Sequence, residues 1–251
     1  MQSIFKRYEN KYLITFDQFA AVWKTLPRYM APDQYGEYII QNLYYDTDGW
    51  DVARASADKP LYKEKLRLRC YGKLAQDSVL FLELKKKYNG VVYKRRLPIS
   101  MSALSRRTVQ DAISLTIIQG AARSISGGSP QIARELDYYL SNNAVYEKIY
   151  ISHNRKAYVG KDDPDLRVTF DTDVHFRLDN LHFTLPGDGR LILPRGIILM
   201  EIKTPGGMPV WLARLLSDNN IFPSVFSKFG ACYSGYILNT AESERRAPAS
   251  A

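Results

Sequence analysis

Polar and apolar residues alternate along much of this chain, and a period of two predicts β-strands. Between Tyr62 and Cys70, Lys63, Lys65, Arg67 and Arg69 share one face, while Tyr62, Leu66, Leu68 and Cys70 share the other. Glu64 is the one exception to the pattern. The pattern recurs. Residues 78–87 set Glu83, Lys85 and Lys87 against Leu82 and Leu84, and residues 91–99 add Lys94 and Arg96. Residues 4–14 place Arg7, Glu9 and Lys11 on one side and Tyr8 and Tyr12 on the other. Residues 167–177 contribute Arg167, Thr169 and Asp171, and residues 196–203 contribute Glu201 and Lys203. Strands at 38–45 and 145–159 and a short extended piece at 191–194 bring the count to about eight. Asn89-Gly90, between two strand-like runs, predicts a tight hairpin turn. If these strands share one sheet, their charged faces merge into a cationic surface with a few embedded carboxylates.

The period changes in five places. Thr15-Phe16-Asp17-Gln18 has the form of a capping box, and Phe16, Phe19, Ala20, Trp23 and Leu26 follow at helical spacing, with Pro27 as the expected stop. Residues 100–119 predict one or two helices, and 124–129 a Gly/Ser loop. Pro130 opens a helix carrying Ile132, Leu136 and Leu140. Pro209 opens another, with Trp211, Leu212, Leu215 and Leu216, and residues 226–238 predict a closing helix. The fold class is therefore α+β, and an antiparallel β-barrel with flanking helices is the economical architecture, because closure removes unpaired edges. No break in composition divides the chain, so residues 1–240 are expected to form a single domain and 241–251 a flexible tail.

At 251 residues, 45% hydrophobic and 24% charged, this is the composition of an ordinary globular protein. A net charge of +9 points to an anionic partner without choosing among nucleic acid, lipid and polyphosphate. Cys70 and Cys232 stand far apart in no metal-binding spacing and are expected as reduced core thiols. The charged residues 1–10 do not resemble a signal peptide, and no run of about 18 apolar residues is present. A reducing cytoplasm is the expected setting. His153, His175 and His182 lack metal spacing and are expected as surface or hydrogen-bonded strand residues. Trp23, Trp50 and Trp211 are expected in or beside the core, while Tyr12, Tyr71 and Tyr158 are candidates for a tunnel mouth that touches a nucleobase.

The ordered set Arg7-x-Glu9-x-Lys11-Tyr12, Lys65-Leu66-Arg67-Leu68-Arg69-x-Tyr71-Gly72, Glu83-Leu84-Lys85, Asn154-Arg155-x-Ala157-Tyr158, Arg167-Val168, Asp171-Thr172, Glu201-Ile202-Lys203 and Phe226-Ser227-Lys228-Phe229 resembles the VTC domain. That domain is the polyphosphate polymerase branch of the triphosphate tunnel metalloenzymes, a CYTH-like superfamily. Each motif alone is weak. Their order, from residue 4 to about 236, is specific. The resemblance implies an eight-stranded antiparallel tunnel that binds ATP with Mn²⁺ or Mg²⁺ and transfers the γ-phosphate to a growing polyphosphate or pyrophosphate acceptor. It implies Lys11, Arg67, Arg69, Lys85, Lys94, Arg155, Arg167, Ser227 and Lys228 as phosphate-binding residues. Of these, Lys11, Arg67, Arg69 and Lys85 join Glu201 in catalysis, and Glu201 is the implied metal ligand. The hydrolase branch typically opens with Glu-x-Glu-x-Lys. Arg7 in the first position favours the polymerase branch.

Phosphoryl transfer needs alignment, charge neutralisation and a metal, and little covalent chemistry from the protein. Strand residues at i and i+2 on neighbouring strands supply a grid of cations for a line of phosphates. Arginines fix orientation through paired donors, while lysines act as point charges. Glu83 is open between a metal or water-positioning role and an ion pair; Glu9 and Asp171 are weaker candidates. Ser227-Lys228 stands where a helix could begin and favour an anion. Three other readings stay open: a metal-dependent triphosphatase, a non-catalytic polyphosphate sensor, and a nucleic-acid-binding protein. The last is disfavoured because Arg67 and Arg69 would point into the barrel. Any membrane partner would be a separate protein.

Overall fold

A computed structural model describes residues 8–58, 60–89, 91–100, 130–183 and 186–238. Nine strands form one antiparallel sheet: β1 (Tyr8–Thr15), β2 (Met30–Asp46), β3 (Tyr62–Tyr71), β4 (Val79–Tyr88), β5 (Val91–Ser100), β6 (Tyr146–Gly160), β7 (Arg167–Arg177), β8 (Arg190–Leu191) and β9 (Ile197–Thr204). Eight of them run in the order β1-β9-β7-β6-β2-β3-β4-β5, with the short β8 attached to β7. Among the described residues β1 and β5 do not pair with each other. The barrel is therefore curled but not strictly closed.

The outer face of the sheet is held by two apolar walls. Helix α1 (Phe16–Tyr29) begins with the predicted capping box: Thr15 Oγ1 accepts from Gln18 N–H, and Gln18 Oε1 accepts from Thr15 N–H. Its Val22 and Leu26 pack with α4 (Val210–Asp218) over Tyr12, Ile14, Val168, Phe170, Met200 and Ile202 of β1, β7 and β9. Phe19 meets Phe170 edge-on at 5.0 Å. The helix passes Pro27 and ends two residues later. Tertiary partners carry it there: Tyr29 stacks on Trp211 at 4.2 Å, Lys161 Nζ donates to the Pro27 carbonyl, and Lys161 N–H donates to that of Tyr29. The last-turn carbonyls thus find donors although proline cannot continue the hydrogen-bond ladder.

The second wall covers β2 to β5. Leu66, Leu68, Cys70, Leu80, Leu82, Leu84, Leu97 and Ile99 are fully buried there, against Leu136, Tyr139 and Leu140 of α3 (Pro130–Asn142). Burial of each such leucine contributes about 1.5–3 kcal/mol. Glu64, the exception in its strand, lies on this outer face and is paired with Lys86 at 3.2 Å and with the Tyr62 hydroxyl at 2.6 Å.

β2 is 17 residues long, much longer than predicted. An irregularity between Pro32 and Glu37 hides its first part, where Asp33 Oδ1 accepts from the N–H groups of Tyr35 and Gly36. The Asn89 turn joins β4 and β5 as predicted, with Asn89 at φ 43°. Gly72, at φ 73°, turns the chain out of β3, a backbone angle that glycine adopts without a Cβ penalty. The predicted helices in 101–119, the loop at 124–129 and the tail lie outside the described residues. Both cysteines are free and buried. No described helix is long and apolar enough to cross a membrane.

A third apolar cluster fills one end of the sheet's interior. The predicted closing helix is α5 (Lys228–Cys232) followed by a π-helical turn, Tyr233–Ile237, capped at its start by Ser227. Its Phe229, Cys232 and Tyr233 pack on Tyr44, Ile149, Ile151, Val174, Phe176 and Leu199. Ala53 of α2 (Asp51–Ala57) joins them. Phe229, 1% exposed, stacks on Tyr44 at 4.9 Å. Phe229→Ala is expected to lower unfolding free energy by about 3–5 kcal/mol, the usual cost of deleting a buried aromatic ring. The check is a urea titration, with the midpoint falling and the slope unchanged.

Candidate active site

The rest of the interior is charged, and the sheet register explains how. Directly across β3, β4 and β5 lie Lys65, Lys85 and Lys94, and one step along lie Arg67, Glu83 and Arg96. From the other half of the sheet, Arg155 faces Asp171, Thr169 faces Glu201, Glu201 faces Lys11, and Lys203 faces Glu9. Like charges directly opposite one another destabilise a sheet. The lysine row is therefore held in place by packing on the outer face and by neighbouring carboxylates.

Two carboxylates are tightly held. Glu83, 1% exposed, accepts from Arg67 Nε at 2.8 Å and Nη2 at 2.7 Å on one oxygen. Its other oxygen meets Lys94 at 2.7 Å and Arg96 Nε at 2.6 Å. Arg69 Nη1 stands at 3.9 Å. Burial alone would raise the Glu83 pKa, but Arg67, Arg69 and Lys94 outweigh it and hold the carboxyl far below its usual range. Asp171, fully buried, receives both Arg155 Nε (2.6 Å) and Nη2 (2.7 Å), together with Lys228 Nζ at 2.5 Å. Against the effect of burial, Arg155 and Lys228 keep it ionised well below the normal carboxylate range. These two acids serve as ion-pair hubs.

Two further carboxylates are loosely held. Glu201 has cations at 3.6 Å (Lys203), 3.7 Å (Lys11) and 3.9 Å (Arg155), all beyond hydrogen-bond distance. Glu9 has Lys11 at 3.6 Å and Lys203 at 4.0 Å. Burial raises the Glu201 pKa, but Lys228, Lys203, Lys11 and Arg155 together drive it down, so it is a carboxylate. Its register partner Thr169 has a buried hydroxyl with no hydrogen-bond partner. Ionised, under-coordinated oxygens of this kind fit a hard divalent cation that takes its other ligands from phosphate. No group of three or more His, Cys, Asp or Glu residues among the described residues could hold a metal by itself.

The cations divide in the same way. Arg67 also donates to the Tyr44 hydroxyl at 2.9 Å, and Arg69 Nε donates to Asn42 Oδ1 at 2.8 Å. Lys11 Nζ donates to the Phe226 carbonyl, and Lys65 Nζ to Ser227 Oγ at 3.2 Å, so the segment before α5 is tied to two strands of the site. Among the described residues Lys85 has neither a hydrogen bond nor an ion pair, and burial, with Lys11, Arg67 and Lys203, outweighs the attraction of Glu9 and lowers its pKa. Lys65 is pushed down to about 7 by burial and then by Lys63, Lys85, Lys11 and Arg67. Such a site favours an anion.

The structure thus brings together Lys11, Arg67, Arg69, Lys85, Lys94, Arg155, Lys228 and Glu201. Ser227 is beside them as the cap of α5. Arg167 shares the inward parity of Thr169 and Asp171 but lies exposed at the start of β7, opposite Lys203, and so belongs to the rim. The predicted mouth tyrosines need correction. Tyr12 is 2% exposed in the outer wall, and Tyr158 packs there on Trp23 and Phe170; only Tyr71 reaches the site, receiving Arg96 at 2.7 Å. His153 was expected at the surface or hydrogen-bonded. It is instead 2% exposed, with neither ring nitrogen hydrogen-bonded, at 3.5 Å from Asp171, and burial among Lys228, Arg155 and Arg69 keeps it neutral. Asn42, Tyr44 and Arg96 were missing from the predicted set. Arg96 was visible in the alternation, whereas nothing local marks Asn42 or Tyr44. Arg7 lies outside the described residues.

A VTC domain family model matches residues 6–236, nearly the whole chain. The chain belongs to the VTC family. No curated protein sequence matches it. Among solved structures, a protein from Hippeastrum assigned as an adenylyl cyclase and described as having a dominant triphosphatase activity is similar with a TM-score of 0.56 at 17% identity. That likeness covers 90% of this VTC domain and 95% of the Hippeastrum chain, and it shows a shared fold. An adenylate cyclase candidate from Vibrio parahaemolyticus aligns over 90% of this chain and 96% of its own, at 12% identity and a TM-score of 0.43.

An anion bound beside Lys65 restores its proton, so triphosphate binding to this VTC domain should take up a proton above pH 7 and none at pH 6. The unliganded fold has the matching sign: with Lys65 near 7 when folded and about 10.4 when unfolded, stability rises with pH between those values. Calorimetry of triphosphate binding at pH 8 in two buffers of different ionisation enthalpy reads the uptake, and Lys65→Met should lower it, with Lys94, also pushed down to about 7 by burial, supplying the remainder. Identical heats in both buffers would show that Lys65 is already charged.

Proposed function

We propose that this VTC domain is an ATP-dependent polyphosphate polymerase. The reading is carried by one observation: a row of lysines that includes Lys85, which makes no hydrogen bond or ion pair among the described residues, next to arginines already oriented by Glu83, and beside Glu9 and Glu201, whose cations among the described residues stand at 3.6 Å or more. Membership of the family supports the same reading.

In this reading Arg67, Arg69 and Arg155 align the triphosphate, while Lys11, Lys85 and Lys65 neutralise charge on the transferring phosphoryl group and the incoming acceptor. A terminal phosphate oxygen of the acceptor attacks the γ-phosphorus. A new P–O–P bridge forms, the β–γ bridge breaks, and its oxygen leaves with ADP. The acceptor end is already ionised, so no general base is needed, consistent with Glu83 and Asp171 being committed to arginines and lysines. Glu201, with Glu9 beside it, would hold Mn²⁺ or Mg²⁺. The bound ion would add positive charge at the phosphoryl oxygens. Lys63 and Lys87 continue the lane along β3 and β4.

A second reading, metal-dependent triphosphatase, is favoured by the apolar plug of Phe229, Cys232 and Tyr233 at one end of the interior. A hydrolase needs one mouth, whereas a polymerase must release a lengthening chain. Water and phosphate compete for the same phosphorus, so products decide. Purified protein with ATP and Mn²⁺, with and without a pyrophosphate primer, is expected to make long phosphoanhydride chains and ADP, resolved by gel and phosphorus NMR. Glu201→Ala and Arg67→Ala should each lower the rate by at least a hundredfold. Orthophosphate without chains would establish the hydrolase. Tight polyphosphate binding with no turnover, unaffected by Glu201→Ala, would establish a sensor.

A further inference from the structure

Four aromatic rings line one end of the charged interior, and none belongs to any of the three apolar clusters. Tyr35 and Tyr38 come from β2, Tyr71 from β3 and Phe81 from β4. Consecutive ring centroids stand 6.0, 6.0 and 5.7 Å apart, at interplanar angles of 75°, 59° and 76°. The rings do not stack on one another, so their faces are not used up by parallel neighbours. Tyr35 is 68% exposed, and the other three are half-buried. A ring placed only for packing would be expected in one of the walls.

The row is also tied to the phosphate grid. The Arg96 guanidinium lies 4.6 Å over Phe81 and 5.6 Å over Tyr71, and Arg69 lies 5.6 Å from Tyr71. Arg96 and Arg69 both reach Glu83 as well. Along β3 the inward positions run Tyr71, Arg69, Arg67, Lys65, Lys63, with a spacing of roughly 6.6 Å for each two-residue step. The opposite end of the same lane carries Lys63 and Lys87 beside the packed apolar plug, with the Phe229 ring 5.3 Å from Lys65 Nζ. The interior therefore has a direction, with tilted, partly exposed rings and guanidinium groups at one end and lysines against a buried plug at the other.

We propose that Tyr35, Tyr38, Tyr71 and Phe81 form a nucleobase subsite that makes the site selective for nucleoside triphosphates over inorganic triphosphate. This rests on the reading of the charged interior as a triphosphate site. A planar π-system next to a phosphate chain fits a row of tilted rings bordered by arginines, because stacking and cation–π contact both act through ring faces. The base lies toward Phe81, and the γ-phosphate lies toward Lys65 and Lys85, near Glu9 and Glu201. Stacking carries little base specificity, so ATP and GTP should bind alike.

The test measures dissociation constants for ATP and for inorganic triphosphate with Mn²⁺, in wild type, in Tyr38→Leu/Phe81→Leu and in Tyr35→Ala. The wild type should prefer ATP. The double substitution keeps apolar volume but removes the ring faces, and should lower the ATP-to-triphosphate affinity ratio about tenfold. Tyr35→Ala, at an exposed ring, should lower it by a smaller factor without a folding defect. Using the ratio cancels any general loss of site integrity. A ratio unchanged in both variants while triphosphate still binds overturns the subsite and leaves the phosphate site standing. Failure of the wild type to bind either ligand overturns the reading of the interior itself.

Discussion

Packing many cations inside a curved sheet is the constraint on which this structure depends. Two unit charges 4 Å apart repel by about 4 kcal/mol at an effective dielectric of 20. Glu83 and Asp171 meet that repulsion from within. Each is buried and each gathers cations from more than one chain segment: Arg67, Lys94 and Arg96 at one, Arg155 and Lys228 at the other. Removing one partner of such a buried pair leaves an uncompensated charge, which is why these acids hold the structure together even though they sit among the candidate site residues.

The outer face supplies the rest of the restraint. Leu66, Leu68, Leu82 and Leu84 alternate with Arg67, Glu83 and Lys85, so the residues that bury the wall also aim the charges inward. Stability and function are thus divided between the two faces of the same strands. The division also explains why Lys85 makes no hydrogen bond or ion pair among the described residues and why Lys65 is pushed down to about 7. The fold tolerates a strained cation row because apolar burial on the other side holds it.

The carboxylates of the interior divide into tightly and loosely held groups. Glu83 and Asp171 accept hydrogen bonds at 2.5–2.8 Å, whereas among the described residues Glu201 and Glu9 have no cation closer than 3.6 Å. Coulomb forces ionise Glu201 without saturating its oxygens, which leaves it able to ligate a cation. The apolar plug around Phe229 fills one end of the interior.

Alternation alone was enough to place Arg67, Arg69, Lys85, Lys94 and Glu201 on inward faces, because a period of two is a local property of a strand. The capping box at Thr15 and the Asn89 turn were legible for the same reason: their hydrogen bonds and backbone angles involve neighbours in sequence. The order of motifs was enough to imply the family. What only the tertiary structure decided was which charges meet. Glu83 and Glu201 both look like single acids in cationic or apolar strands, and register with β3 and β5 made one a hub while register with β1 and β7 left the other loosely held. Tyr12, Tyr71 and Tyr158 look alike in their strands, yet only Tyr71 faces the site. His153 is buried among charges contributed by β3, β6, β7 and α5, which no local pattern could report. Pairing across strands joins residues far apart in the chain, and their charge balance is a property of the assembled sheet.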